Sequence, residues 1–485
     1  MKNTMRLATA VLIAVLVAVP MSGGRGTADF TNLVTLGDSY GAGVESGSMN
    51  ERHQVWSWPA VLARQVGLNL CPANAAAADP CFSQPLVSFP GIGPELQLVN
   101  LAPTIAPAQG QGTPLMLNYG RFYNNLSIPG ATVGALLAIT GQETPQAGEP
   151  TAVTFGRFIL RGLDGPAVDQ AVAQRPTFVA LWIGGNDFLG SVLAGTDQGL
   201  TSAADFKARY ELLLDKLIAG APNAGMVVGN LPTNPLSAPI VATIPPFIVN
   251  PATRQPVLGP DGNPIFYIAD LGGGNFGQLP PGSAVLLTAQ PRLATGFGFP
   301  NVPPFNALPN AGKPLPASDV ITPAEMANII ARITEYNATI NAAASARNIP
   351  VADIKGLFDR VTVNPFTGVG GMQLGPIRVT SSYITGGFFS LDGFHLTDLG
   401  YLLFANEYIK AINAEYDTEI PLAGIAQLYS NNGAFFPETT DGQAVVDATG
   451  FVFTGAAAHQ VLTMWALPTL TTLPAPVRRV RGVRH

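Results

Sequence analysis

An α/β fold built on a parallel sheet is the architecture that the sequence predicts, from three observations. Short apolar and β-branched runs alternate with helical patterns, as βαβ units do. Two of those runs, 178–183 and 226–229, are apolar on successive residues, as strands covered on both faces must be. Three helical segments also announce their starts with capping residues.

In chain order, the strand candidates are 33–36, 123–128, 178–183, 226–229 and 350–354. Ser202, with Asp205 three residues on, opens a helix over 203–218 as a weaker form of the capping box. Thr322-Pro323-Ala324-Glu325 opens a long helix to about 346, with Pro at the first helical position and Glu completing the box. Thr397-Asp398 opens a third, to about 416, with Leu399, Leu402, Leu403, Ala405 and Ile409 available for a buried stripe. Two stretches, 72–120 and 235–318, are irregular and rich in Pro and Gly. The second carries the apolar run 240–250, which predicts that it packs on the domain as a candidate lid. The main domain is expected over 29–416. Residues 417–485 form a C-terminal extension with no motif and a basic end.

Composition narrows the function classes. Of 485 residues, 47% are hydrophobic and only 12% charged, with Gly 53 and Pro 43. The charged share is half of the usual ~25%, which fits a packed but loop-rich globule. A net charge of −6, with no basic stripe interleaved with aromatics, gives no reason to expect a nucleic-acid partner. Lys2 and Arg6 precede an apolar run over 7–20 that is too short for a membrane span of about 20 residues. Residues 1–26 are therefore expected to be a signal peptide, cleaved between Ser22 and Asp29, leaving an exported chain without a transmembrane span. In such a chain Cys71 and Cys81 are expected to form a local disulfide. With no histidine nearby they make a poor zinc site.

Three short motifs carry chemistry. Gly37-Asp38-Ser39-Tyr40-Gly41 follows the first strand and presents a serine hydroxyl at its carboxyl end. Gly184-Gly185-Asn186-Asp187 follows the third strand candidate in the same way. Asp392-Gly393-Phe394-His395 stands just before the last helix. Each motif alone is an ordinary turn, but together they supply a nucleophile, an amide donor, a base and an acid. The serine pattern also fits the nucleophile elbow of α/β-hydrolases, whose elbow lies deep in the chain and whose acid comes from a distant loop. Here the serine is on the first strand, and Asp392 is three residues before His395. Asp38 and Asp187 are assigned to turns or helix caps. His53, His459 and His485 have no such context and are assigned structural roles. Gly41-Ala-Gly-Val-Glu-Ser46 lacks the third glycine of a dinucleotide fingerprint, and no metal-ligand spacing is visible.

On these motifs the sequence resembles the SGNH (GDSL) hydrolases, secreted esterases and lipases, over about residues 32–415. The resemblance implies a three-layer, flavodoxin-like α/β/α sandwich with a mostly parallel five-stranded sheet. It implies Ser39 as nucleophile, His395 as base and Asp392 as its partner. The oxyanion hole would be formed by the Ser39 and Gly130 N–H groups and the Asn186 amide, Gly130 lying in Asn125-Leu-Ser-Ile-Pro-Gly-Ala-Thr132. Tyr40 departs from the leucine of the Gly-Asp-Ser-Leu form. The expected activity is hydrolysis of a small-molecule or lipid carboxylic ester without a cofactor. The alternatives are a phospholipase or acyltransferase at membranes, using 240–249 as an interfacial surface, and a non-catalytic binding module.

Overall fold

The computed structural model describes residues 28–100, 104–251, 253, 255–364, 368–375, 377–431, 444–446 and 452–454. The expected signal peptide and most of the C-terminal extension lie outside the described residues.

Four strands, β1 (Leu33–Gly37), β2 (Phe178–Trp182), β3 (Gly225–Gly229) and β4 (Val351–Ala352), pair in parallel in that order. Every residue of β1 and β2 is buried, as their unbroken apolar pattern requires. β4 is shorter than expected because Asp353 leaves the strand to cap the helix Ile354–Val361.

The expected strand 123–128 is present as an edge segment beside β1, paired over fewer residues than β1 to β3 are with one another. It lies along the free edge of β1 with a parallel bridge from Thr35 to Asn125. The Thr35 N–H donates to the Asn124 carbonyl at 2.8 Å, and the Leu126 and Ile128 N–H groups donate to the Thr35 and Gly37 carbonyls at 2.9 and 3.0 Å. The pairing is irregular at its start because side chains compete for the backbone groups there. Asn124 Nδ2 donates to the Leu33 carbonyl at 3.0 Å, in place of a ladder N–H. Asn125 donates to the Gly41 carbonyl and accepts from the Ser127 N–H. The spatial order of edge segment, β1, β2, β3 and β4 is the 2-1-3-4-5 order of flavodoxin-like sheets.

Helices cover both faces. α3 (Ala203–Gly220) packs with α4 (Pro323–Ser345) and with the helices Val133–Ala138 and Ala167–Ala173. α5 (Asp398–Tyr416) packs with Trp58–Gln65, Ile354–Val361 and β3. Thr322 and Glu325 form the reciprocal capping box at the start of α4, and Ser202 accepts the Asp205 N–H at 3.0 Å to start α3. α5 departs from a one-sided stripe, since each residue from Asp398 to Ile409 is buried. Tyr408 shows the consequence: its hydroxyl donates to the Leu181 carbonyl of β2, and its ring stacks on Trp58.

The stretch 235–318 contains only short elements, among them the helix Pro239–Ala242, around a small core of Ile248, Tyr267, Ala269, Leu315 and Val320. It reaches the last loop before α5 through the Ile240 N–H, which donates to the Gly393 carbonyl at 2.9 Å. Cys71 and Cys81 are joined by a disulfide. Of the C-terminal extension, Val452–Thr454 pairs with Ala444–Val446 and bridges to Leu98. Among the described residues no helix is long and apolar enough to cross a membrane.

Candidate active site

The sheet order puts three of the sequence-selected residues side by side. Ser39 follows β1, Asn186 follows β2, and Gly130 follows the edge segment, all at the carboxyl ends of neighbours in the sheet. In open α/β sheets this is where crevices form.

Ser39 is the first residue of α1 (Ser39–Ala42), so its backbone N–H is one of the donors that a helix start leaves unpaired. Asp38 caps the helix, its Oδ1 accepting the Tyr40 N–H at 3.0 Å. The turn is packed too tightly for a side chain at position 41, where a Cβ would come within 2.1 Å of Ser127 Oγ. Asp38 is fully enclosed, and burial pushes its carboxyl up to about 8, with Asp187 adding repulsion and the Tyr40 N–H opposing. Its folded pKa thus exceeds the unfolded one, so its contribution to stability is full below about 4 and declines as pH rises through about 8. Asp38→Asn keeps an acceptor for the Tyr40 N–H and removes the titration. Its melting midpoint relative to wild type is expected to climb between pH 4 and 8 and level off above, as scanning fluorimetry across that range would read.

Asn186 begins α2 (Asn186–Leu193), and its Nδ2 donates to the Ala131 carbonyl at 3.0 Å. That bond uses one amide hydrogen, fixes the group and leaves the second N–H. The next residue, Asp187, accepts the Val133 N–H at 3.0 Å and the Thr201 hydroxyl at 2.9 Å. Together the two side chains hold the loop of Gly130 against the end of β2. Gly130 has φ of +81°, and a Cβ there would come 2.9 Å from that of Thr151.

Asp392 and His395 meet as a pair, with Oδ2 2.7 Å from Nδ1. Oδ1 of the same carboxylate accepts the N–H groups of Phe394 and His395, and Oδ2 accepts the Gly47 N–H at 2.7 Å. Burial alone would raise this carboxyl, but the imidazole and the N–H donors hold it below its ordinary value. The other ring nitrogen, Nε2, is buried with no hydrogen-bond partner among the described residues. The bond from Ser39 to Nε2 is therefore open here, and such bonds commonly close only around substrate. Ser39 and Asn186 line one cavity of about 70 Å³, whose mostly apolar walls include Trp182, Phe188, Val192, Ile240 and Phe394.

Sequence reasoning passed over two features. Tyr40 stacks on Trp182 with centroids 4.8 Å apart, and its hydroxyl donates to the Phe394 carbonyl, which joins the serine turn to the histidine loop. The tight turn at Ser46 and Gly47, both at positive φ, turns backbone donors toward that loop: Ser46 N–H reaches Ser390 Oγ and Gly47 N–H reaches Asp392. The Tyr40 substitution in Gly-Asp-Ser-Tyr was a visible signal for the first, whereas nothing in the order of residues 46–47 marks the second.

The sequence model of one family, described as GDSL-like lipase/acylhydrolase, matches residues 33–408. Three solved structures resemble the chain. A phospholipase A1 from Streptomyces albidoflavus NA297 is 14% identical with a TM-score of 0.31, over 80% of this chain and 100% of that one. An extracellular lipase from Streptomyces rimosus is 14% identical with a TM-score of 0.32, over 79% and 99%. A family 3 carbohydrate esterase from Clostridium thermocellum is 13% identical with a TM-score of 0.28, over 79% and 96%. A comparison with curated protein sequences finds no match.

Proposed function

Because this chain belongs to the GDSL-like lipase/acylhydrolase family of serine ester hydrolases, we propose that it cleaves carboxylic esters with an apolar acyl group through an acyl-enzyme on Ser39. The observation that carries this reading is the convergence of Ser39 and Asn186 on one apolar cavity beside the Asp392–His395 pair.

In this mechanism His395 Nε2 takes the Ser39 proton as Oγ attacks the ester carbonyl, and then returns it to the leaving alcohol. Asp392 holds Nδ1–H, fixes the tautomer and stabilises the imidazolium. The negative oxygen of the tetrahedral intermediate is met by the Ser39 and Gly130 N–H groups and by the second amide hydrogen of Asn186. Water then attacks the acyl-enzyme with His395 again as base. Asn186→Ala is expected to lower kcat by about 100- to 1000-fold with KM nearly unchanged. Steady-state kinetics on a p-nitrophenyl ester checks this, and an unaltered kcat removes Asn186 from the hole.

The test of the function is p-nitrophenol release across acyl lengths, with apolar acyl esters expected to be preferred. Inactivity on a broad ester panel contradicts it. A second reading, action at a lipid interface, is supported by Leu236, Leu258, Phe276 and Val302, large apolar side chains exposed on the 235–318 stretch. A jump in rate on micelles or vesicles would favour it. We further take the chain to be exported, on the strength of its N-terminal segment and the disulfide.

A further inference from the structure

We propose that Glu45, His53 and Asp398 form a buried site for a divalent transition-metal ion of the zinc class, with Glu95 as the outer partner of the imidazole. The four side chains come from separate segments: the strand Val44–Glu45, the helix Glu51–Gln54, the residue preceding the strand Leu96–Asn100, and the first position of α5. Glu45, His53 and Glu95 are 0% exposed and Asp398 is 1% exposed.

The spacing suits an ion. His53 Nδ1 lies 3.0 Å from Asp398 Oδ1 and 3.1 Å from Glu45 Oε2. Ligand bonds of about 2.0–2.2 Å put neighbouring donor atoms roughly 3.0–3.5 Å apart. His53 Nε2 lies 2.6 Å from Glu95 Oε1. An outer carboxylate that accepts one ring N–H leaves the other nitrogen with its lone pair toward the metal. One imidazole nitrogen with carboxylate oxygens is a donor set for zinc and its neighbours rather than for calcium.

An independent observation points the same way. Both oxygens of the buried Glu45 carboxylate are without a hydrogen-bond partner among the described residues, while Nδ1 of His53 is engaged by Asp398. Glu95 Oε2 is also without a hydrogen-bond partner. His53 is the ion-pair partner of all three carboxylates; the Arg64 guanidinium also acts on Asp398, which leaves Glu45 and Glu95 to share one imidazolium. Uncompensated charge at this depth is costly. A divalent ion offsets Glu45 and Asp398 together, and Glu45 Oε1 is available as a fourth donor.

The site is closed, which suits a structural ion. Asp398 stands three residues after His395, and Glu45 directly precedes Ser46 and Gly47, whose N–H groups hold Ser390 and Asp392. The ion would therefore tie together the two segments that orient the Asp392–His395 pair. Without an ion the cluster would have to be held by protons.

The test is metal analysis and native mass spectrometry on the full chain, produced with added Zn²⁺ and purified without chelator. One zinc per wild-type chain is expected, together with little zinc in Glu45→Gln and a melting midpoint that Zn²⁺ raises in stripped wild type alone. Growth with Co²⁺ should give wild-type protein with visible ligand-field absorption, a readout that does not depend on any variant folding. Wild-type protein without metal, whose midpoint ignores both Zn²⁺ and Co²⁺, overturns the proposal.

Discussion

Ser39→Ala is expected to lower kcat/KM for a p-nitrophenyl acyl ester by about 10⁴- to 10⁶-fold, to the level left by the oxyanion donors and binding alone. The melting midpoint is expected to stay close to wild type, because the turn is built by the Asp38 cap, the Tyr40 contacts and the close approach at Gly41. A folded variant that keeps its rate would assign ester cleavage to another residue. The same variant separates the enzyme from a binding module, which would tolerate the loss of the hydroxyl.

Asp392→Asn carries the second large effect. The amide cannot stabilise an imidazolium and favours the wrong tautomer, so kcat is expected to fall about 10⁴-fold. Stability changes with it in a way that depends on pH. The carboxyl is held below its ordinary value in the folded protein, so its contribution is present above the unfolded pKa and is lost as pH falls through the folded one. The gap in melting midpoint between wild type and Asp392→Asn should therefore be wide near neutrality and narrow below about pH 4. Melting curves from pH 3 to 7 read this directly, and a gap that widens toward acid would contradict the assignment. Part of the effect passes through Gly47, which loses a charged acceptor for its N–H.

What could be read from the residues alone followed the range of the interactions. β1, β2 and β3 are legible because burial on both faces leaves unbroken apolar runs, and α3, α4 and α5 because their caps are local in sequence. The interval from Asp392 to His395 is legible for the same reason, being closed within one turn. The segment 123–128 is legible as a strand in its pattern and pairs with β1, while its irregular start is hidden because Asn124 and Asn125 spend their amides on the backbone of β1 and its turn. The substructure of 235–318 was hidden since its small core is assembled from scattered residues. Glu45, His53, Glu95 and Asp398 are more widely separated still. His53, assigned a structural role from its neighbours in sequence, meets three carboxylates that only the fold brings to it.

The central claim is that Ser39 is the nucleophile, and labelling with a fluorophosphonate tests it most directly. Intact mass and peptide mapping should show one adduct, on the peptide that holds Ser39, with loss of ester hydrolysis in step with labelling. Protein that turns over esters while Ser39 stays unmodified, or whose adduct maps elsewhere, would contradict the account.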